Sequence, residues 1–144
     1  LFQCGMDAKQ FIALHLSGGT TEMILVNGST LNHLGGARDL HAGQLIDRVG
    51  VALGTPFPAG PYIEKMSIQA VPQGLLPVSI DGMYCHFSGA EAQAMRWIEC
   101  HSHSSQQIAC EVFNLIERSI LRILSAVQNS RARPQQRECR TSFW

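Results

Sequence analysis

Charge is scarce in this sequence. Asp, Glu, Lys and Arg make up only 15 % of its 144 residues, and eleven acids balance eleven bases to a formal charge of zero. Ordinary soluble domains carry about 25 % charged residues, so the deficit predicts surface that something else covers. The neutral balance argues against a dedicated DNA- or RNA-binding module, which works through a basic surface. No apolar run nears the roughly 20 residues of a membrane span, and no signal-peptide pattern is read in the opening residues. CxxC pairs are absent, and the cysteines Cys4, Cys85, Cys100, Cys110 and Cys139 are odd in number. That usage predicts free thiols in a reducing compartment, hence a cytoplasmic chain, and no disulfide framework. There are no internal repeats, and no two histidines stand four apart as HxxxH.

What is present fits one domain of 15.8 kDa, long enough to bury a core without disulfides or a structural metal. Residues 1–9 read as a lead-in. Phe11 to Leu16, Met23 to Val26 and Thr30 to Leu34 are short runs separated by Gly-rich turns, with Asn27-Gly28 as a hairpin signal. They predict an antiparallel meander over 10–36. The period then changes. Ala42, Leu45, Ile46, Val49, Ala52 and Leu53 recur at helical spacing up to Gly54 and Pro56, which predicts a helix over 42–53. Pro61 opens a short helix to about Ala70. Residues 71–81 read as loop with at most one strand, and Met83 to Phe87 as a strand closed by Ser88-Gly89. A helix from Ala90 to Cys100 follows. Ser104 and Gln107 make a capping box for a helix over 105–128 with the stripe Ala109, Val112, Phe113, Ile116, Ile120, Ile123, Leu124 and Val127. Pro134 stops it soon after. Nine of the eleven basic residues are Arg, and four of those fall in the irregular tail 131–144. Strands followed by helices give an α+β order, or half of an α/β fold.

Several small constellations carry chemistry. Ser17-Gly18-Gly19-Thr20-Thr21 lies between two strands, where a Gly-Gly pair lets amides converge on an anion or carbonyl; an ordinary hairpin turn explains it as well. No GxSxG frame makes Ser17 a nucleophile. Gly43, Asp47 and Gly50 share one helix face at i, i+4, i+7. Each mid-helix Gly costs about 1 kcal/mol against Ala, so the face predicts close approach by a ligand or by another backbone. On the ligand reading Asp47 is a lone carboxylate fit to accept hydrogen bonds from a sugar diol; on the other, it is solvated, or paired in the neighbourhood of Arg48, beside a helix contact. Pro58-Ala59-Gly60-Pro61 puts Gly60 at a helix N-terminus, where free amides favour anions. Cys100-His101-Ser102-His103 has metal-type side chains but lacks the second half of a zinc pattern and reads as a surface loop. His15 and His86 read as core or interface histidines, and Asp39 and His41 as caps of the helix that follows them.

In order, Leu16-Ser17-Gly18-Gly19-Thr20-Thr21-Glu22, Ala42-Gly43-Gln44-Leu45-Ile46-Asp47, Leu53-Gly54, Phe57-Pro58-Ala59-Gly60-Pro61-Tyr62-Ile63-Glu64-Lys65-Met66 and Phe87-Ser88-Gly89 resemble the glycoprotease-like family that contains the tRNA threonylcarbamoyladenosine biosynthesis proteins. That family belongs to the actin-like ATPase (ASKHA) superfamily, with a ribonuclease H-like fold. The resemblance covers residues 10–128, under half of a usual family chain. It implies a partial actin-like lobe over 10–130, and an ATP or threonylcarbamoyl-adenylate site at Ser17, Gly18, Gly19, Thr20, Asp47 and Gly60. It also implies metal-assisted attack by the N6 amine of a tRNA adenosine.

Departures from the family pattern qualify the chemistry. Thr20 stands where the family has His, the helix entry AAGEAFDK reads His41-Ala42-Gly43-Gln44-Leu45-Ile46-Asp47-Arg48, and PGGP has become PAGP. The family's metal ligands in HxxxH, and its late AGGV-N segment, are not found. The resemblance therefore implies a lobe that is inactive as this chain alone and is completed by the missing lobe of the parent fold, with family partner proteins and tRNA entering only through the full-length context. A non-catalytic, dimerising scaffold paralogue is the alternative. A metallo-glycopeptidase, the family's historical label, ranks last because it requires HxxxH. Strands missing from the lobe would expose apolar surface, so self-association burying at least ~1,000 Å² is expected.

Overall fold

A switch of hydrophobic period near residue 40 becomes a switch from sheet to helix. The computed structural model describes residues 10–132; the lead-in 1–9 and residues 133–144, with Cys4 and Cys139, lie outside the described residues. The meander forms as expected, from β1 (Gln10–Leu16), β2 (Thr21–Asn27) and β3 (Thr30–Ala37). β1 pairs antiparallel with β2, and β2 with β3. The second hairpin turns one residue later than the Asn27-Gly28 signal: Asn27 pairs with Thr30, and Gly28 and Ser29 make the turn, with Gly28 at φ 58°, a left-handed conformation that glycine adopts without steric cost.

Helix α1 (Ala42–Ala52) follows, then α2 (Gly60–Ser67), β4 (Ser79–Asp81), β5 (Tyr84–His86), α3 (Ser88–Glu99) and α4 (Ser105–Ala132). The sheet order is β1-β2-β3-β5-β4. One join was not legible in the local pattern: β5 lies parallel to β3, with Gly36 opposite Tyr84 and Ala37 opposite Cys85. Gly35 permits it, because a Cβ there would overlap the Met83 carbonyl.

Four helices pack on one another, and α4 lies against β3, β4 and β5. The core between the layers holds Met23, Leu45, Val49, Ile63, Cys85, Phe87, Ile108, Val112, Leu115, Ile123 and Val127, all buried. Burial pushes the Cys85 thiol up to about 11, so it stays protonated and acts as a small core hydrophobe. Cys85, Cys100 and Cys110 are free. No helix among the described residues is long and apolar enough to cross a membrane. The described residues form an α/β fold of five strands and four helices, part of an actin-like domain.

Long-range contacts changed some local expectations. Helix α3 starts at Ser88, not Ala90, and Asp39 is the reason. Its Oδ1 accepts from the Phe87 amide at 2.9 Å, and its Oδ2 from the Ser88 amide at 3.1 Å and from the Ser88 hydroxyl. Asp39 therefore caps α3, not α1. His41 does hold the N-cap position of α1, where its amide donates to Gln44 Oε1 at 3.1 Å. Only half of the Ser104–Gln107 box forms. The Gln107 amide donates to Ser104 Oγ at 3.2 Å, but its side chain donates instead to the Val71 carbonyl at 3.2 Å and to Glu111 at 3.0 Å. His15 is exposed and His86 half-buried, so neither is a core histidine.

Glu111 is the buried charge that the sequence reading missed. It is fully buried and accepts the amides of Gln73 at 2.6 Å and Leu75 at 2.7 Å. Arg118 adds a donation to the Leu76 carbonyl at 2.6 Å. These α4 side chains hold the 71–76 loop down, so that Leu76 can enter the core.

Asp39 sets a pH dependence. Burial raises its carboxyl, but the Ser88 hydroxyl and the Phe87, Ser88 and Leu40 amides outweigh that and hold it at about 2, against 3.8 ordinarily. The cap is thus fully stabilising above the ordinary value and is lost as pH falls through that interval. Asp39→Ala should cost about 0.5–2 kcal/mol near neutral pH. In urea denaturation series, its stability should also fall less steeply than the wild type's as pH drops from the ordinary value towards the depressed one.

Candidate functional site

Helix α1 joins the pieces that the sequence singled out. Its N-terminus is pinned to the β1–β2 turn: the Ala42 amide donates to Thr21 Oγ1 at 2.8 Å and the Gly43 amide to the Ser17 carbonyl at 3.2 Å. Gly43 is glycine because a Cβ there would lie 2.5 Å from the Ser17 carbonyl oxygen and 2.6 Å from the Gly18 nitrogen. Two turns later, a Cβ at Gly50 would overlap that of Ala59, at the start of α2. Both helix glycines are therefore explained by close approach of the protein itself, of backbone at Gly43 and of the Ala59 methyl at Gly50.

Asp47 lies between them and is not the lone carboxylate of the ligand reading. Its Oδ1 accepts the Ala59 amide at 2.8 Å, which fixes the loop carrying the cis Phe57–Pro58 bond and the entry to α2. No hydrogen bond engages its Oδ2 among the described residues.

The β1–β2 turn is self-supporting. The Ser17 amide donates to the Thr20 carbonyl at 2.7 Å, and the Gly19 amide to Ser17 Oγ at 3.3 Å. The Gly18 amide is left without a partner among the described residues. Nothing lies within 4 Å of a Cβ built at Gly18, Gly19 or Gly60. At α2, Pro61 has no amide hydrogen, so Gly60 supplies the first free donor.

Two adjoining cavities result. One, of about 320 Å³, is lined by Ser17, Gly18, Asp47 and Gly60, with apolar walls from Leu16, Ile46, Pro58, Pro61, Phe113 and Ile116. The other, of about 700 Å³, shares Gly18 and Asp47 and adds Gln44, Val51, Ala52, Phe57 and Met95. Both fall within the size range of small-molecule sites. Ser17, Gly18, Asp47 and Gly60 thus meet at one place, whereas Gly19 and Thr20 support the turn and line neither cavity.

Cationic side chains play little part here. Arg48 also lines the larger cavity, but its Nη1 is paired to Glu91 Oε1 at 3.1 Å. The arrangement therefore offers one carboxylate oxygen and two open amide positions between apolar walls. It suits a flat apolar ring with hydroxyl donors better than a bare polyanion. Among the described residues, no three His, Cys, Asp or Glu side chains group as a metal set. The 100–103 segment is surface loop, with the His103 ring tilted 34° against that of Trp97 at 4.3 Å between ring centres.

The profile of the tRNA N6-adenosine threonylcarbamoyltransferase family matches residues 2–136. This chain belongs to that family. Among similar proteins, a probable bifunctional tRNA threonylcarbamoyladenosine biosynthesis protein of Thermoplasma acidophilum is 33 % identical over 116 residues, which is 76 % of this chain and 22 % of that protein. A tRNA N6-adenosine threonylcarbamoyltransferase of Thermococcus kodakarensis is 34 % identical over 88 residues, 61 % of this chain and 27 % of its own length. The enzyme of that name from Methanopyrus kandleri is 31 % identical over 97 residues, 67 % of this chain and 28 % of its own. The chain therefore spans roughly a quarter of the length of these curated relatives.

Two glycines of this threonylcarbamoyltransferase-family chain should respond oppositely to the same change. Gly43→Ala drives a methyl into the Ser17–Gly18 backbone, and overpacking of this kind typically costs about 1–3 kcal/mol. Gly60→Ala meets open space and should be neutral or slightly stabilising. Thermal melts of the two variants check the contrast.

Proposed function

We propose that this chain is the nucleotide-binding part of a threonylcarbamoyl-transfer protein, taking ATP or an adenylate in the cavities beside Asp47. One observation carries the reading. Ser17 and Gly18, Asp47, and Gly60 come from three separate segments, and they line one cavity in which the glycines leave room for a ligand to approach the backbone.

The division of labour follows from the geometry. Asp47 uses Oδ1 to set the 57–60 loop and offers Oδ2 to a ribose hydroxyl. Gly18 and Gly60 line the same cavity, and their amides are available to carbonyl or phosphate oxygens. Val51, Ala52, Phe57 and Met95 supply apolar walls for a base. Bound there, an activated threonylcarbamoyl group would be held in place by this lobe. Attack by the tRNA adenosine amine is then a reaction of the full-length context, in the cytoplasm, with the missing lobe and the family's partner proteins present. Alone, this chain binds weakly and does not turn over.

A non-catalytic scaffold is the second reading. It is favoured by Asp47 Oδ1 and both α1 glycines already being engaged in packing.

Asp47 variants separate the two. Asparagine keeps an oxygen for the Ala59 amide but removes the charge. Hydrogen bonds to a charged group contribute about 1.5–3 kcal/mol, so Asp47→Asn should fold with near-wild-type stability and bind ATP at least about tenfold more weakly in calorimetric titration. Asp47→Ala should lose both binding and stability. Equal ATP binding by wild type and Asp47→Asn would leave Asp47 a structural residue and favour the scaffold.

A further inference from the structure

Gln44 is held at one end of its side chain only. It occupies the third position of α1, and its Oε1 accepts the His41 amide at 3.1 Å. The His41 amide hydrogen can be met by an oxygen but not by an NH2 group, so this bond decides which end of Gln44 is which: the carbonyl faces His41 and Nε2 is left over. That NH2 group makes no hydrogen bond with the described residues. Gln44 and Asp47 stand three positions apart, which makes them neighbours on one helix face, and both line the larger cavity. Gln44 does not line the smaller one. It therefore belongs with Val51, Phe57 and Met95, on the side read above as taking the nucleoside.

The two side chains are chemical opposites. Asp47 has Oδ1 engaged by the Ala59 amide at 2.8 Å, and a carboxylate only accepts, whereas Gln44 Nε2 only donates. Vicinal hydroxyls need both, because each has one hydrogen to give and an oxygen that accepts. A diol bonded to Asp47 alone would keep an unmatched hydroxyl oxygen beside apolar walls, and a desolvated polar atom without a partner costs more than a made bond contributes. A second carboxylate at position 44 would leave that oxygen unmatched and set like charges one turn apart.

We propose that Gln44 is a specificity-determining residue of this site: its Nε2 donates to one oxygen of a ribose cis diol that gives its hydrogen to Asp47 Oδ2, so that the cavity selects ribonucleosides over their deoxy counterparts. This rests on the nucleotide reading and adds the donor half of the sugar contact. The donor is in place before a ligand arrives. Helix α1 is pinned at Ala42 and Gly43 and Gln44 by its bond to His41, so little side-chain freedom is lost on binding.

Adenosine, 2′-deoxyadenosine and 3′-deoxyadenosine carry no phosphate charge and are the probes, titrated into the labelled full chain by amide NMR with ATP alongside. Wild type should bind adenosine at least about tenfold more tightly than one of the two deoxynucleosides. Adenosine should also shift the Gln44 side-chain NH2 signals, identified by their loss in Gln44→Met. Gln44→Glu keeps an oxygen for the His41 amide, so its melting temperature should stay near that of wild type. Without the donor it should bind adenosine about three- to tenfold more weakly and that deoxynucleoside equally well. Gln44→Met should do the same with no added charge. A wild type without the preference, a preference that survives in either variant, or NH2 signals unmoved at saturating adenosine overturns this inference, and leaves the nucleotide reading standing where ATP binding still falls in Asp47→Asn. No ATP binding by wild type, or equal ATP binding by wild type and Asp47→Asn, overturns the nucleotide reading and this inference with it.

Discussion

Helix α1 can approach the β1–β2 turn only because residue 43 has no side chain, and most of the candidate site depends on that contact. With the Gly43 amide on the Ser17 carbonyl and the Ala42 amide on Thr21 Oγ1, the rotation of α1 about its axis is fixed. Asp47 then faces the 57–60 loop one turn later, and Gly50 faces Ala59. Gly18, Asp47 and Gly60 are brought together by one helix acting as a spacer. The same contact uses the first amides of α1, so the anion-binding potential of that helix end is directed into the fold and not towards a ligand.

The chemistry left over is selective. Arg48 is tied to Glu91, so the cavities hold no free cation among their described linings to dominate binding. Recognition would rest on one carboxylate oxygen, two backbone amides and apolar walls. That is a weak set for a polyphosphate and a suitable one for a nucleoside. It also agrees with a chain that spans roughly a quarter of its curated relatives: a cleft assembled from more polypeptide would have further groups to contribute.

Periodicity made the meander and α1 legible, because both are set by neighbours along the chain. Partnerships between distant residues were not. The parallel β3–β5 pairing depends on Gly35 clearing the Met83 carbonyl, a constraint visible only once the strands are adjacent. Asp39 caps a helix that begins 49 residues later, so Ser88-Gly89 looked like a strand end. Glu111 did leave a signal: it lies between Ile108 and Leu115 at core spacing, where an acid must be compensated by buried donors. At the candidate site, the pattern correctly marked Gly43 and Gly50 as places of close approach. It did not show that protein backbone and Ala59, not a ligand, fill that space. Asp47's bond to Ala59 was hidden for the same reason, since the 57–60 loop follows no period.

The convergence of turn, α1 and α2 on one ligand site is tested most directly by amide NMR spectra of the labelled chain during ATP titration. A site at this junction predicts saturable shifts confined to Gly18, residues 44–52 and residues 57–60, with the Trp97–His103 surface unmoved. Spectra unchanged at millimolar ATP, or shifts centred away from α1, would contradict it.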